Sequence, residues 1–382
     1  MRFIHTADWH LGKSLRGHPL IDDQEYILRE FLRLIKDVKP DAIIMAGDVY
    51  DRALPPVEAT ELLNEVLTKI VLEEKVKVLM IAGNHDSGGR LDFGNALFER
   101  SGLFVRGTAD RELKPVVLND EYGEIYFSLI PYFDPTEAQH IFNISERPTF
   151  DEANFAAVTA ARKHIPQGKR SVAAAHLFMV GGVSGESERS LAVGGAGNVS
   201  PQWFADFNYT ALGHLHAPQR VGADKIRYSG SLLKYSFDEV NQKKGVLTVN
   251  MDEKGAVAAE FVPLTPRRDL CIVEGQIEDI RADRAKYPVS DDYVFVRLTD
   301  TAAVINAYDK LAAVYKNLCG IDFVGIDYNE NIIDSENMRQ DLSEKELFAD
   351  FYREVTGQVL SDDQENILKE CIEKVYRDER MG

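Results

Sequence analysis

The first part of the chain alternates short apolar segments with longer amphipathic ones. Residues 2–7, 42–46 and 76–82 are apolar runs of strand length, which predicts three buried strands. Between them, residues 22–40 and 56–72 carry apolar side chains at helical spacing, which predicts two helices. This βαβαβ order predicts a buried, largely parallel sheet with helices on its faces.

The pattern changes further along the chain, where predicted strands follow one another with few helices between the later ones. These strands cover residues 125–130, 171–175, 209–212, 226–228 and 245–249. Their order predicts a second sheet that packs on the first. A Gly/Ser-rich stretch at residues 181–200 interrupts this region and predicts a mobile surface loop.

A second, smaller unit is predicted after residue 264. Its predicted strands are 271–274, 293–298 and 322–328, and its predicted helices are 277–285 and 302–318. This is again a compact βαβαβ pattern. We therefore assign residues 1–264 to a first domain and residues 265–340 to a small α/β domain.

The C-terminal tail, residues 341–382, has a helical pattern. Ser343-x-x-Glu346 and Ser361-x-x-Gln364 are both capping-box sequences, and each is followed by apolar residues along one helical stripe. The two predicted helices could pack on their own domain. They could instead present their apolar stripes to another protein.

Composition restricts the function in two ways. The 44 Lys and Arg residues against 62 Asp and Glu residues give a formal net charge of −18. Proteins that bind DNA unaided usually carry a basic excess, so either the substrate is not DNA or bound cations and a partner supply the positive field. The three cysteines are far apart and no apolar run reaches membrane-spanning length, which indicates a protein of the reducing cytosol.

Polar motifs follow several of the apolar segments, at the positions where predicted strands end. The motifs are Asp8-Trp9-His10, Gly47-Asp48-Val49-Tyr50-Asp51, Gly83-Asn84-His85-Asp86 and Gly213-His214-Leu215-His216, and His176 ends a further strand. Each motif alone could be a polar turn or a solvated loop. Together, each closing an apolar strand, they indicate side chains aimed at one point.

The residue types in these motifs indicate a metal centre. Asp, Asn and His offer oxygen and nitrogen ligands that suit Mn²⁺, Fe²⁺ or Zn²⁺, and no cysteine is among them. Two cations about 3.5–4 Å apart, joined by a bridging carboxylate, can stabilise both oxygens of an in-line displacement at phosphorus. Metal coordination also lowers the pKa of water to about 7 in favourable cases.

The motif set resembles that of the calcineurin-like metallophosphoesterases and, more narrowly, that of the DNA double-strand-break repair nucleases. The stretches that carry the resemblance are HTADWHLGKSL, MAGDVYD, IAGNHDS, ALGHLHAPQ and YSGSLLKYSFDE, and it extends over essentially the whole chain. It implies a two-sheet αββα sandwich, a smaller α/β capping domain that binds DNA, and a C-terminal helix pair that binds an ATPase partner.

The resemblance also implies roles for individual residues. The implied ligands of one metal are Asp8, His10 and His216, those of the other are Asn84, His176 and His214, and Asp48 bridges the two. His85 would stabilise charge on the reacting phosphate or protonate the leaving oxygen. Asp51 would hold the imidazole of His85 in the required tautomer.

The implied activity is that of a DNA nuclease, exonucleolytic on double-stranded ends and endonucleolytic on single strands and hairpins. The resemblance implies a role in DNA repair, recombination and replication in the cytoplasm. It further implies two divalent metal ions, Mn²⁺ first and Mg²⁺, Fe²⁺ or Zn²⁺ as alternatives. The implied partners are an SbcC-type coiled-coil ATPase and a second copy of the chain, together forming a heterotetramer.

Other interpretations stay open at this point. A small-molecule phosphodiesterase could use the same metal site, and it would fit the acidic composition. A non-enzymatic scaffold on the same fold would be expected to lack ligands. The run from Asp48 to Arg52 also resembles the Asp-x-x-Asp-Arg signature of Ser/Thr protein phosphatases, although Ala53 and Asp86 depart from that pattern.

Residues outside the motifs receive simpler interpretations. We expect His5 to be packed within its strand, and His18 to be a solvated loop residue that could otherwise touch substrate. Arg90 and Lys234 flank the motif stretches and could contact phosphates.

Overall fold

The protein has two large sheets packed face to face. The computed structural model describes residues 1–188, 197–302 and 304–324, and in the tail residues 345, 348–349, 351–353, 357, 359–361 and 364–369. The first sheet has the spatial order β16 (Val257–Pro263), β15 (Gly245–Met251), β1 (Arg2–Thr6), β4 (Ala42–Ala46), β5 (Lys77–Ile81) and β6 (Leu103–Arg106), numbered along the chain. Strands β1, β4, β5 and β6 are parallel, whereas β15 and β16 pair antiparallel at one edge.

The second sheet also has six strands. Its spatial order is β13 (Gln219–Val221), β14 (Ala223–Tyr228), β12 (Tyr209–Gly213), β9 (Arg170–His176), β8 (Gly123–Ile130) and β7 (Val116–Asp120). The central strands β14, β12, β9 and β8 are parallel to one another. Two short ladders accompany these sheets, β2 (Ser14–Leu15) with β3 (His18–Pro19) and β10 (Phe178–Met179) with β11 (Asn198–Val199).

Helices cover the outer faces of both sheets. They are α1 (Ile21–Val38), α2 (Val57–Thr68), which a π-helical turn (Lys69–Glu73) extends, α3 (Gly88–Leu91), α4 (Asn95–Phe98), α5 (Pro135–Phe142) and α6 (Phe150–Arg162). Single 3₁₀ turns lie at Glu99–Ser101, Pro201–Phe204 and Phe237–Glu239. Helix α1 buries Ile27, Phe31 and Ile35. Its C-cap residue is Lys39, which has a left-handed φ of 48° and is followed by Pro40.

Three apolar clusters produce four layers. One cluster lies between the sheets and includes Phe3, Phe127 and Tyr209. A second packs α1 and α2 on the first sheet, and a third packs α5 and α6 on the second sheet. The predicted αββα sandwich is therefore confirmed.

A small parallel sheet follows the sandwich. Its strands β17 (Leu270–Gly275), β18 (Tyr293–Leu298) and β19 (Leu318–Phe323) pack with α7 (Ile277–Ala282) and α8 (Ala307–Ala312) around a core of their own. The boundary placed after residue 264 stays a prediction. The helix predicted at 302–318 is wrong in extent, because left-handed Asn306 precedes α8 and β19 already begins at Leu318.

Charged and aromatic side chains join the two units. Asp23 of α1 is buried and accepts a hydrogen bond from Nε of Arg268 at 2.8 Å and one from the hydroxyl of Tyr293 at 2.8 Å. Phe237 packs on Phe295 of the small sheet, with ring centroids 5.2 Å apart. The small sheet is thus attached to the sandwich through a buried carboxylate and an aromatic contact.

Several predicted features fall partly or wholly outside the described residues, among them the strand predicted at 322–328, of which only 322–324 are described. The ends of the stretch predicted as a loop, 181–200, are described, and β10 pairs with β11 there, while residues 189–196 lie outside. Ser343 of the first tail capping box also lies outside. At the second, Ser361 and Gln364 exchange the two hydrogen bonds of a capping box. No helix in the described ranges is long and apolar enough to cross a bilayer.

Candidate metal centre

The site lies where the carboxyl ends of parallel strands from both sheets meet. The loops after β1 and β4 run side by side, and the amides of Asp8 and His10 donate to the carbonyls of Gly47 and Asp48 at 3.0 Å. Across the site, the amide of His214, after β12, donates to Oδ1 of Asp8 at 2.9 Å. Main-chain hydrogen bonds therefore join the two loops of the first sheet, and the Asp8 carboxylate links them to the loop of the second sheet.

The backbone at this edge is strained. Asp8, His10 and Asp48 have left-handed φ angles of 53°, 45° and 48°, and His214 has a φ of 105°. Such conformations cost about 1–3 kcal/mol each for a residue with a side chain. Strain held at four candidate ligands supports a functional role for this edge.

Two glycines allow the loops to approach closely. A Cβ at Gly47, whose φ is +92°, would lie 2.3 Å from Nδ1 of His176. A Cβ at Gly83 would lie 2.1 Å from a carboxylate oxygen of Asp48. The glycines of both motifs are therefore required by the packing of the site itself.

Asp48 occupies the centre of the cluster. Its Oδ2 lies 3.4 Å from Nε2 of His176, 3.6 Å from Nε2 of His10 and 3.9 Å from Nε2 of His85. Its Oδ1 accepts the main-chain amide of His85 at 2.9 Å, which orients the carboxylate. The position is the one a bridging carboxylate would need.

The remaining candidate ligands form a group on each side of Asp48. On one side, Asp8, His10 and His216 bring ligand atoms within 4.8 Å of one another, with Nε2 of His10 3.1 Å from Nε2 of His216. On the other side, Oδ1 of Asn84 lies 2.9 Å from Nε2 of His176 and 3.2 Å from Nδ1 of His214. The structure thus brings all seven predicted ligands together.

His85 lies beside the cluster, but the atoms that hold it differ from the expectation. Its Nδ1 is 2.8 Å from the main-chain carbonyl oxygen of Asp51. The Asp51 carboxylate instead accepts from Nζ of Lys13 at 2.7 Å and lies 3.6 Å from Nδ1 of His10. The contact between residues 51 and 85 was predicted, and the main-chain oxygen of Asp51 makes it. The role of the Asp51 carboxylate in orienting His85 stays a prediction.

Comparisons with known proteins identify the family of the chain. Residues 1–218 match the calcineurin-like phosphoesterase family, and residues 266–356 match the type 5 capsule protein repressor C-terminal domain. A protein of Staphylococcus epidermidis, named as a subunit of the nuclease SbcCD, is 35% identical over 372 residues, which are 97% of this chain and 98% of that protein. The chain belongs to the calcineurin-like phosphoesterases.

Two solved structures show a weaker similarity. TT1561 of Thermus thermophilus is 11% identical, with a TM-score of 0.39, and the similarity covers 68% of this chain and 98% of that one. A dimetal phosphatase from Danio rerio is 12% identical, with a TM-score of 0.41 and the same coverage.

Calcineurin-like phosphoesterases use divalent metal ions, and the buried groups of this chain fit such ions. Within the described ranges, neither Oδ2 of Asp8 nor Nδ1 of His10 has a hydrogen-bond partner, although both atoms are buried. Buried polar atoms normally have a partner, and a coordinated cation would supply one to the Asp8 oxygen. The donor set contains only oxygen and nitrogen, which suits divalent ions of this type.

The pKa shifts of the candidate ligands also favour a bound cation. Burial raises the pKa of Asp8 to about 7 and lowers the pKa of His214 to about 3. Burial also lowers the pKa of His10, so both imidazoles are in the neutral form that binds metals. Burial alone would lower the pKa of His176, but the adjacent Asp48 carboxylate raises it to about 9. A cation in the site would replace the proton on His176.

Sequence reasoning missed two acidic residues that organise the site. Asp86 accepts the amides of Gly83, Val49 and Tyr50 at 2.9–3.1 Å and so ties two motif loops together. Asp86 was recognised in the sequence as the last residue of the Gly-Asn-His-Asp motif, but no role was assigned to it there. Glu239 lies 3.2 Å from Nδ1 of His216. It stands in the stretch YSGSLLKYSFDE, where no spacing links it to His216.

Four further residues can be placed. Nδ1 of His5 is 3.0 Å from the Tyr209 hydroxyl, so His5 is packed as expected. The expectation for His18 was wrong, because this half-buried side chain contacts the carbonyl of Leu318 in the small sheet at 3.2 Å. Lys234 donates to Asp269 and the carbonyl of Val240, while Arg90 lines a pocket of mainly apolar residues.

Proposed function

We propose that this chain is a metal-dependent DNA nuclease, cutting double-stranded ends as an exonuclease and single strands and hairpins as an endonuclease. The observation that carries the proposal is the convergence of seven candidate ligand side chains, six of them buried, with Asp48 at their centre and His85 beside them. Membership of the calcineurin-like phosphoesterase family supports phosphoester hydrolysis as the reaction. The name of the Staphylococcus epidermidis relative contributes the choice of a nuclease.

The site would hold two divalent cations. Asp8, His10 and His216 would bind one, Asn84, His176 and His214 the other, and Asp48 both. When bound, the cations would activate water and neutralise charge on the phosphodiester. Mn²⁺ is our first choice, with Mg²⁺, Fe²⁺ and Zn²⁺ as alternatives, because the ligands are hard and borderline donors without sulfur.

His85 would act on the leaving oxygen. Because a carbonyl oxygen can only accept, Nδ1 of His85 must carry a proton in its contact with Asp51. A proton is present on Nε2 as well only when the ring is cationic. We infer that the imidazolium form donates this proton to the leaving oxygen or stabilises the negative charge on the phosphate.

The acidic composition favours a partner for binding duplex DNA. With a net charge of −18, the chain would bind duplex DNA weakly by itself, and an SbcC-type coiled-coil ATPase would supply the missing contacts. We propose that the tail, residues 341–382, binds this partner. The exposure of Phe348, Phe351 and Ile367 in the described part of the tail supports this role. The small domain, residues 265–340, would cap the DNA.

We also propose that two copies of the chain associate within a heterotetramer. Helix α4 and its neighbours expose Leu72, Phe93, Leu97 and Phe98 on one side of the first sheet. A second copy would bury this surface. The complex would act in the cytoplasm, in DNA repair, recombination and replication.

The test uses end-labelled linear duplex, hairpin and single-stranded DNA with Mn²⁺, with and without the ATPase and ATP. We expect hairpin and single-strand cutting by the chain alone, and duplex-end digestion only with the ATPase and ATP. Equal duplex digestion without the partner would contradict this division of labour. Turnover of cyclic nucleotides but not of DNA would favour the small-molecule phosphodiesterase.

A further inference from the structure

We propose that Glu239 is a positioning residue for the metal centre, fixing the tautomer and orientation of His216 through Ser187. The inference rests on the proposed metal-dependent function and adds a residue that none of the polar motifs contains. Glu239 ends the 3₁₀ turn Phe237–Glu239, and its side chain is 1% exposed.

The contacts form a continuous chain from the carboxylate to the imidazole. Oγ of Ser187 lies 2.7 Å from Nδ1 of His216 and donates to Oε1 of Glu239. Oε1 of Glu239 itself lies 3.2 Å from the same ring nitrogen. The nitrogen on the other side of the ring, Nε2, faces His10 in the metal centre.

The proton positions follow from what each group can donate. An ionised carboxylate only accepts, so the single hydroxyl proton of Ser187 is directed at Glu239. Oγ of Ser187 must then accept from His216, which places a proton on Nδ1. In the neutral ring this leaves the lone pair on Nε2, the atom that faces the candidate ligands. A carboxylate that acts on a metal-binding histidine in this way also increases its basicity.

The same network holds the main chain of His216. Nζ of Lys244, buried and 2.5 Å from Oε2 of Glu239, donates to the carbonyl oxygen of His216 at 2.8 Å. The amide of His216 donates to Oε1 of Glu188 at 2.8 Å. Because Lys244 neutralises Glu239, a buried carboxylate can be maintained next to the metal centre.

The experiment measures Mn²⁺ binding to the full-length chain, stripped of metal, by titration calorimetry and by the EPR signal of free Mn²⁺. We expect the wild type to bind two ions. Glu239→Gln should weaken one of the two sites by about 10–100-fold, the range found for residues that orient metal ligands, and leave the other unchanged. ¹⁵N NMR of labelled histidines should show that the Nδ1–H tautomer of one ring is lost while the other rings keep theirs.

The matched control is Asp120→Asn. Asp120 is another largely buried carboxylate with a basic partner, Arg170 at 2.5 Å, but it lies at the far edge of the second sheet. This variant should lose thermal stability and keep both Mn²⁺ affinities. If Glu239→Gln is misfolded by circular dichroism, Ser187→Ala provides the test, with an expected loss of several-fold at one site.

The outcomes distinguish the positioning role from the proposed function. Wild-type affinity at both sites in folded Glu239→Gln, or in Ser187→Ala where that variant is needed, would refute the positioning role and leave the nuclease proposal standing. A wild-type chain that binds no Mn²⁺ would overturn the metal-dependent function itself, and the role of Glu239 with it.

Discussion

The two halves of the metal centre are supported by different kinds of atoms. On one side, two side chains, Ser187 and the buried Glu239, orient His216. On the other side, Nδ1 of His176 contacts the main-chain carbonyl oxygen of Ala46 at 2.9 Å. A side-chain support can be removed by a point substitution. A main-chain support can be disturbed only by moving the backbone, so the half that contains His176 should be less sensitive to substitutions around it.

The largest effect is expected where the halves meet. Asp48→Asn removes the negative charge that lies within 4 Å of His10, His85 and His176. Both cations should be lost, and hairpin cutting should fall below detection. Metal analysis of the purified variant, with circular dichroism to show that it is folded, tests this. Retention of one tightly bound ion would mean that the halves do not share a ligand.

His85 lies beside both halves, and a substitution there should affect the chemical step but not metal binding. His85→Gln removes the group that we expect to protonate the leaving oxygen, and no predicted ligand is altered. Cutting should fall by about 10²–10⁴-fold, the usual contribution of general acid–base catalysis, while the metal content stays at two ions. Single-turnover assays with saturating Mn²⁺ measure the effect. A parallel loss of metal would place His85 among the ligands.

The backbone-supported half can be tested at Gly47. Gly47→Ala places a Cβ 2.3 Å from Nδ1 of His176 at a φ of +92°, so it should displace the ring and weaken metal binding. Gly17→Ala is the matched control, since Gly17 has a φ of +89° with no described atom within 4 Å of its Cβ. Both variants should lose about 1–2 kcal/mol of stability from backbone strain. Only Gly47→Ala should also lose Mn²⁺ affinity. Equal affinities in the two variants would contradict the close-approach argument.

The last effect concerns the contact between the sheets below the site, and it should change stability but not metal binding. His5 of β1 bonds Tyr209 and the carbonyl of Leu212 in β12, and burial lowers its pKa to about 3. The unfolded chain binds a proton at this residue below pH 6.5, while the folded protein does not, so stability falls as the pH drops from 6.5 towards 3. Between about pH 7.5 and pH 5 the loss from His5 should be about 2 kcal/mol.

Urea unfolding of the metal-free protein at both pH values measures this loss of stability. His5→Gln stays neutral, so its stability should depend less on pH by that amount, and the other histidines contribute equally to both proteins. The same pH dependence in the two proteins would show that His5 is protonated in the folded state.

Much of the site could be predicted because parallel strands end at one edge of a sheet. This rule brings Asp8, Asp48 and Asn84 together from the sequence alone. It does not say which atom of a residue makes a contact, so the carbonyl of Asp51 was not distinguished from its carboxylate.

The support of His216 and the contact of His18 were not predictable either. Glu239 reaches His216 through the packing of a 3₁₀ turn, for which no sequence period exists. His18 reaches Leu318 across 300 residues, between two units whose relative placement no local pattern encodes. Helix propensities likewise do not predict the left-handed backbone at Asn306, which delays the start of α8.

The cluster of Asp23, Arg268 and Tyr293 attaches the small sheet firmly to the sandwich. Leu270, Tyr293 and Cys319 belong to the same apolar core as the helices on the first sheet. A fragment cut after residue 264 would leave the Asp23 carboxylate facing the gap without its guanidinium, and would expose part of that core to water. We therefore expect that the two regions do not fold independently of each other, and that heating melts both in one cooperative transition.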